Sequence, residues 1–245
     1  MNPAGFVYEG NELELFSRAE NWKWYWSAHV RPYLGQRVLE VGAGIGVNTP
    51  FLSRDVAEWI CLEPDRKMAA MLVERQRRTE FAGTSTVAGV ITDLPCTPSF
   101  DSIVYIDVLE HIKDDLAEVT AATARLRPTG TLVVLSPAHF WLFSAFDEAV
   151  GHYRRYSPSS LRALTRPELE LITLRQLDSV GTIASLANSF VLKSQIPTQS
   201  QILLWDRIMV PMSRLLDPLL TYRFGKSIIA VWRRRSGDAQ AEPKT

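Results

Sequence analysis

The chain has 245 residues but only two cysteines, Cys61 and Cys96, too few for a disulfide framework and without metal-ligand spacing. It carries no surplus of either charge, since 27 Lys and Arg balance 27 Asp and Glu. A broad nucleic-acid-binding surface needs a basic excess to neutralise phosphates, so this balance argues against such a partner. The densest basic run, Arg233 to Arg235, reads as part of a solvated tail. No apolar stretch approaches the roughly 20 residues that cross a bilayer. The first residues also lack the basic start and apolar block of a signal peptide. These absences together predict a soluble, cytoplasmic protein with reduced thiols. What is present is an ordinary 46% of hydrophobic residues, enough for one large α/β domain.

From about residue 36, short apolar runs alternate with helical patterns. Arg37–Val41, Ala57–Glu63, Ser85–Val90, Asp101–Asp107 and Gly130–Ser136 are strand-like, and most are nearly continuous in apolar residues. Such runs suit parallel strands covered on both faces. Pro64–Arg78 and Asp114–Arg127 carry acids at the start and helical apolar spacing. The alternation predicts a Rossmann-like, doubly wound α/β sheet. Leu171–Val180 and Ser227–Arg234 are the last two expected strands, and the final strand is expected to run antiparallel. The expected organisation is a helical lid over residues 1–35, a core over 36–180, a helical cap over 181–225, the last strand over 226–235 and a flexible tail over 236–245.

The segment Val38-Leu39-Glu40-Val41-Gly42-Ala43-Gly44-Ile45-Gly46 is an apolar strand followed by three glycines at alternate positions. Glycine is needed where the backbone turns with unusual dihedrals or where a ligand approaches without Cβ interference. A dinucleotide fingerprint would place its third glycine one residue later and would set a pyrophosphate beside the loop. Glu40 suits a ligand bearing an ammonium group better than that anion. Glu63, at the end of the second expected strand, is placed to accept bonds from ribose hydroxyls. Asp93, at the end of the third, is either a turn residue or an acceptor for an adenine amino group.

These segments, with FDSIVYIDVLEHIKD and LRPTGTLVVLSP, resemble in order and spacing the class I S-adenosylmethionine-dependent methyltransferases, in the bacterial small-molecule group, over about residues 36–137. The resemblance implies S-adenosylmethionine as cofactor and S-adenosylhomocysteine as product. It places Gly42, Gly44 and Gly46 along the methionine part and Glu63 at the ribose. Asp93 and Leu94 then flank the adenine, and Asp107 lies near the transferred methyl. GHYRRYS (Gly151–Ser157) also resembles this group, with no chemistry attached.

Ligands of open α/β sheets bind beyond the carboxyl ends of the strands, so the acceptor is expected around residues 107–111 and 136–156. His111, His139 and His152 are the candidate bases there. Tyr153, Arg154, Arg155 and Tyr156 are candidate acceptor contacts, because paired arginines can grip a carboxylate or phosphate. The alternative is a surface helix with internal ion pairs such as Glu148 to His152. Asp107, Glu110 and His111 share a spacing with methyltransferases that bind a divalent metal, but the string is widespread in the group without one, and no metal is expected. The cap, with apolar residues from Ile202 to Leu220, is expected to pack on the sheet. Its alternatives are to line a pocket for an apolar acceptor or to touch a membrane surface. Three readings stay open: a methyltransferase of a small, partly apolar molecule at O, N or C; an adenosylmethionine-binding protein without catalysis; and a nucleotide-dependent oxidoreductase. A nucleic-acid methylase is disfavoured, because the fourth strand ends in Asp-Val-Leu-Glu and the charge is balanced.

Overall fold

The computed structural model describes residues 16–191 and 198–236. The first fifteen residues of the expected lid and all but the first residue of the expected tail lie outside the described residues. Seven strands form one sheet in the order β3-β2-β1-β4-β5-β7-β6. They are β1 (Arg37–Val41), β2 (Glu58–Glu63), β3 (Thr84–Ala88), β4 (Phe100–Ile106), β5 (Leu126–Pro137), β6 (Leu169–Leu177) and β7 (Ser227–Arg234). The first five pair in parallel, and β7 runs antiparallel to both β5 and β6.

The near-continuous apolar runs have the expected cause, since side chains alternate between two buried faces. Val38, Cys61, Val104, Val133 and Val231 point to one face. Leu39, Leu62, Ile103, Leu132 and Trp232 point to the other. Each fully buried aliphatic side chain contributes about 1.5–3 kcal/mol. Helix α1 (Glu20–Val30) and α2 (Arg66–Arg75) cover the first face, with the cap. Helices α3 (Asp115–Arg125), α4 (Ala145–Ala149) and α5 (Pro158–Ala163) follow in sequence, and α3 and α5 pack Val119, Ala122 and Leu161 on the second face. Asp65 starts α2 by accepting from the amides of Lys67 and Met68 at 2.7 and 3.0 Å, a normal N-cap.

The cap consists of α6 (Ser179–Val191), α7 (Gln199–Leu204), a π-helical turn (Trp205–Met209) and α8 (Val210–Leu219). Strand β6 stops at Leu177, short of the expected Val180, because Asp178 adopts φ +69° and α6 begins at once. The apolar cap does not simply pack on the sheet. Ile202, Trp205 and Val210 are buried, whereas Leu204, Ile208, Met212, Leu215, Leu216, Leu219 and Leu220 face solvent. Its inner face instead carries polar groups that serve other helices. Asp206 accepts from the amides of Asn21 and Trp22 at 3.3 and 2.8 Å, capping α1. Asp217 accepts from the amides of Asp178 and Ser179 at 2.7 and 3.1 Å, capping α6. Trp22, Tyr25 and Trp26 are buried, so the aromatic cluster of α1 is chiefly packing.

Candidate active site

Strand order reverses around β1, whose neighbours are β2 on one side and β4 on the other. Crevices at such a switch point are where open α/β sheets bind ligands. The glycine loop lies there, with Gly42, Gly44 and Gly46 at φ +67°, +57° and +76°. A Cβ on Gly42 would come within 2.7 Å of the Val108 methyls, and one on Gly46 within 2.4 Å of Leu72 Cδ1. The first and third glycines are therefore demanded by the protein's own packing as well as by their dihedrals.

Glu40 is buried at the end of β1. Its Oε2 accepts from Thr49 Oγ1 at 2.7 Å and Trp59 Nε1 at 2.8 Å, and burial pushes its carboxyl up to about 7. Through Oε2 the carboxyl clasps β1 to β2 and to the turn Thr49–Phe51. Glu63 stands at the tip of β2 as anticipated. Its Oε2 accepts from Gly44 N at 2.7 Å and its Oε1 from Asp65 N at 2.9 Å, while burial raises its pKa. Asp93 is exposed, and its Oδ2 accepts from Val90 N at 2.9 Å within its own turn. Leu94 is half-buried, and its carbonyl accepts from Arg125 Nη2 at 2.6 Å. An acid beside a left-handed glycine loop at a switch point fits a nucleoside cofactor.

Three residues following strands adopt positive φ at this edge: Asp107 (+54°) after β4, His139 (+63°) after β5 and Asp178 (+69°) after β6. Such dihedrals are costly for residues with a side chain and gather at functional sites. Asp107 is open to solvent, yet crowding by protein raises its carboxyl to about 6, with His152 and Lys226 opposing the shift. His139 Nε2 is buried without a partner, and burial lowers its pKa.

His152 is fixed from one side. Its Nδ1 lies 2.8 Å from Asp147 Oδ1, and Asp147 also takes Arg155 Nε at 2.8 Å and Nη2 at 2.9 Å. These bonds hold the Asp147 carboxyl far below the usual carboxylate range. His152 Nε2 points toward Glu110 Oε1 at 4.0 Å, an oxygen that is buried and unpartnered. Burial keeps Glu110 protonated well above its ordinary range, with the Asp107 charge adding to the effect. His111 packs its ring 4.5 Å from that of His152, and burial pushes its pKa down to about 4. Glu110, His111 and His152 lie close enough, with ligand atoms within 4.8 Å, to hold a metal ion. His152, not Asp107, completes that group.

Several expected acceptor contacts are occupied internally. Arg155 makes its bidentate grip on Asp147, not on a substrate carboxylate. Arg154 pairs with Asp115 at 2.6 Å, and buried Tyr156 donates to the same carboxylate at 2.8 Å. Only Tyr153 of the four faces solvent. The surface-helix alternative also differs from what forms: α4 ends at Ala149, and His152 pairs with Asp147 in place of Glu148. Lys226 and Asp178 were not anticipated. Lys226 Nζ lies 3.4 Å from Asp178 Oδ2 and 4.0 Å from the Trp205 ring centre, and burial lowers its pKa. The expected antiparallel direction of β7 was the available signal, because it brings the residue before that strand to the same edge. A shallow cleft of about 230 Å³ lined by Tyr33, Asp101 and Thr131 lies at the opposite edge, away from this chemistry.

Residues 39–134 match the methyltransferase domain family. The chain is 31% identical over 155 residues to a ubiquinone biosynthesis O-methyltransferase of Xanthomonas campestris pv. campestris, covering 56% of this chain. It spans 64% of the length of that curated relative. In fold it is similar to a chain of the Haloferax volcanii complex between the Trm112 methyltransferase activator and a methyltransferase, with TM-score 0.63, 14% identity, and coverage of 93% of this chain and 95% of that one. It is also similar to a Haemonchus contortus phosphoethanolamine N-methyltransferase solved with S-adenosylhomocysteine, with TM-score 0.59, 14% identity, and coverage of 92% and 58%. Residues 39–134 are thus similar to a methyltransferase domain, and they lie in a seven-stranded sheet whose fold is shared with methyltransferases of known structure.

Proposed function

We propose that the protein transfers a methyl group from S-adenosylmethionine to an oxygen, nitrogen or carbon of a small, partly apolar molecule. The observation that carries this reading is the Asp147–His152 pair beside the tip of β4. S-adenosylmethionine, when bound, supplies a methyl carbon on a cationic sulfur and leaves as S-adenosylhomocysteine. The glycine loop, Glu63, Asp93 and Leu94 hold that cofactor, and Asp107 borders the methyl. Asp147 keeps the proton of His152 on Nδ1, leaving the Nε2 lone pair to take the acceptor's proton as the new bond forms. Arg155 keeps Asp147 ionised for that task. The exposed rings of Phe140, Trp141 and Tyr153 offer apolar walls to an acceptor. If Glu110, His111 and His152 instead held a cation, Nε2 would be spent on it.

Calorimetric titration tests the cofactor: S-adenosylmethionine and S-adenosylhomocysteine should bind and NAD should not. Binding of NAD alone would overturn the reading. Labelled cofactor incubated with cell extract then identifies the acceptor; persistent failure to label anything would favour a binder without catalysis. His152→Ala should lower turnover about 100-fold or more, with S-adenosylhomocysteine affinity unchanged. Loss of cofactor affinity in that variant would place His152 on the wrong side of the site.

A further inference from the structure

The segment of α7, the π turn and α8 is amphipathic in an inverted sense. Its inward face carries Asp206, Ser213 and Asp217, all buried and bonded to α1 or to the start of α6. Its outward face carries Leu204, Ile208, Met212, Leu215, Leu216 and Leu219, spaced three or four apart, so they form one stripe. The segment covers residues 199–219 and is about 30 Å long. A solvent-facing stripe of this kind needs a covering partner.

Charge identifies the partner. Among the described residues from 201 to 223, every exposed charged side chain is cationic: Arg207, Arg214 and Arg223. Both acids of that range, Asp206 and Asp217, are buried. Arg207 and Arg214 are seven residues apart and share one edge of the stripe. A second copy of the chain packed on this face about a two-fold axis would set arginine near arginine without an acid to relieve them. Large aliphatic side chains bordered by arginines suit the boundary between acyl chains and anionic headgroups.

We propose that this face docks the protein onto an anionic lipid surface, with the stripe lying in the plane of the interface. No helix among the described residues is long and apolar enough to cross a membrane, so the contact is peripheral. The stripe's polar inner face is already satisfied by α1 and α6, so docking requires no unfolding of the cap.

The test is co-sedimentation of the full chain with vesicles of phosphatidylcholine, with or without phosphatidylglycerol. The protein should pellet with the anionic vesicles and much less with the neutral ones. L215S/L219S changes residues that are 74% and 78% exposed, so its thermal midpoint should match the parent while partitioning falls about tenfold or more. R207E/R214E should lose about tenfold on anionic vesicles alone, and added salt should act the same way. The proposal is overturned if the protein stays in the supernatant, or if L215S/L219S pellets as well as the parent. It is equally overturned if ultracentrifugation shows a dimer that L215S/L219S dissolves. None of these measurements depends on methyl transfer, so failure here leaves the catalytic reading standing.

Discussion

At the scale of single residues, the partners of a buried acid decide what it does. Glu40 and Asp147 are both enclosed carboxylates, yet one is pushed up to about 7 and the other far down. The difference lies in their partners: Glu40 receives neutral donors, Asp147 a guanidinium and an imidazole. Glu40 binds its proton more tightly when folded than when unfolded, so its ionisation costs stability as pH rises from about 4.5 to about 7. Glu40→Gln keeps an oxygen for Thr49 and Trp59 but has no charge to bury. Its stability should equal the parent's near pH 4 and exceed it by about 3 kcal/mol above pH 7. Urea denaturation at a series of pH values measures this; a gap that does not widen with pH would refute it. Glu40 also shows a limit of sequence reading. Its position before the glycines was legible, but Thr49 and Trp59, the partners that fix its carboxyl, leave no local pattern in the sequence.

Among the elements, the strands were the most legible, because a parallel strand covered on both faces must be apolar at nearly every position. β1 and β7 begin and end where the sequence predicts. The segment after β5 was less legible. Residues 144–156 owe their shape to contacts with residues far along the chain, such as Tyr153 N to Glu110 O at 2.9 Å and Arg154 to Asp115. Local spacing carries no trace of those partners. The glycine loop combines both kinds of information. Gly42→Ala meets two separate penalties, a left-handed φ of +67° and the methyls of Val108. It should destabilise the protein by about 1–3 kcal/mol and weaken cofactor binding. Adding Val108→Ala should recover part of the stability and not all of it. Full recovery in thermal unfolding would show that the dihedral costs nothing.

For the whole molecule, the sheet depends on β7. It is hydrogen-bonded on both sides, to β5 through Thr131–Pro137 and to β6 through Leu169–Leu177. Proline at its centre removes a ladder donor and clashes in a strand paired on both sides. Ala230→Pro should therefore cost more than about 3 kcal/mol and leave little soluble protein. Normal yield and melting would contradict the pairing. The candidate site shares this dependence, since Lys226 immediately precedes β7 and His139 lies against Phe224.

The position of β7 also sets an order of events during synthesis. β5 and β6 leave the ribosome with facing edges unfilled, and 49 residues separate the end of β6 from the strand that fills the gap. Until those residues are made, the nascent chain exposes two unpaired strand edges, the condition under which chains stick to one another or recruit chaperones. The edge that bears Asp107, His139 and Asp178 is thus finished only once β7 has paired with both neighbours.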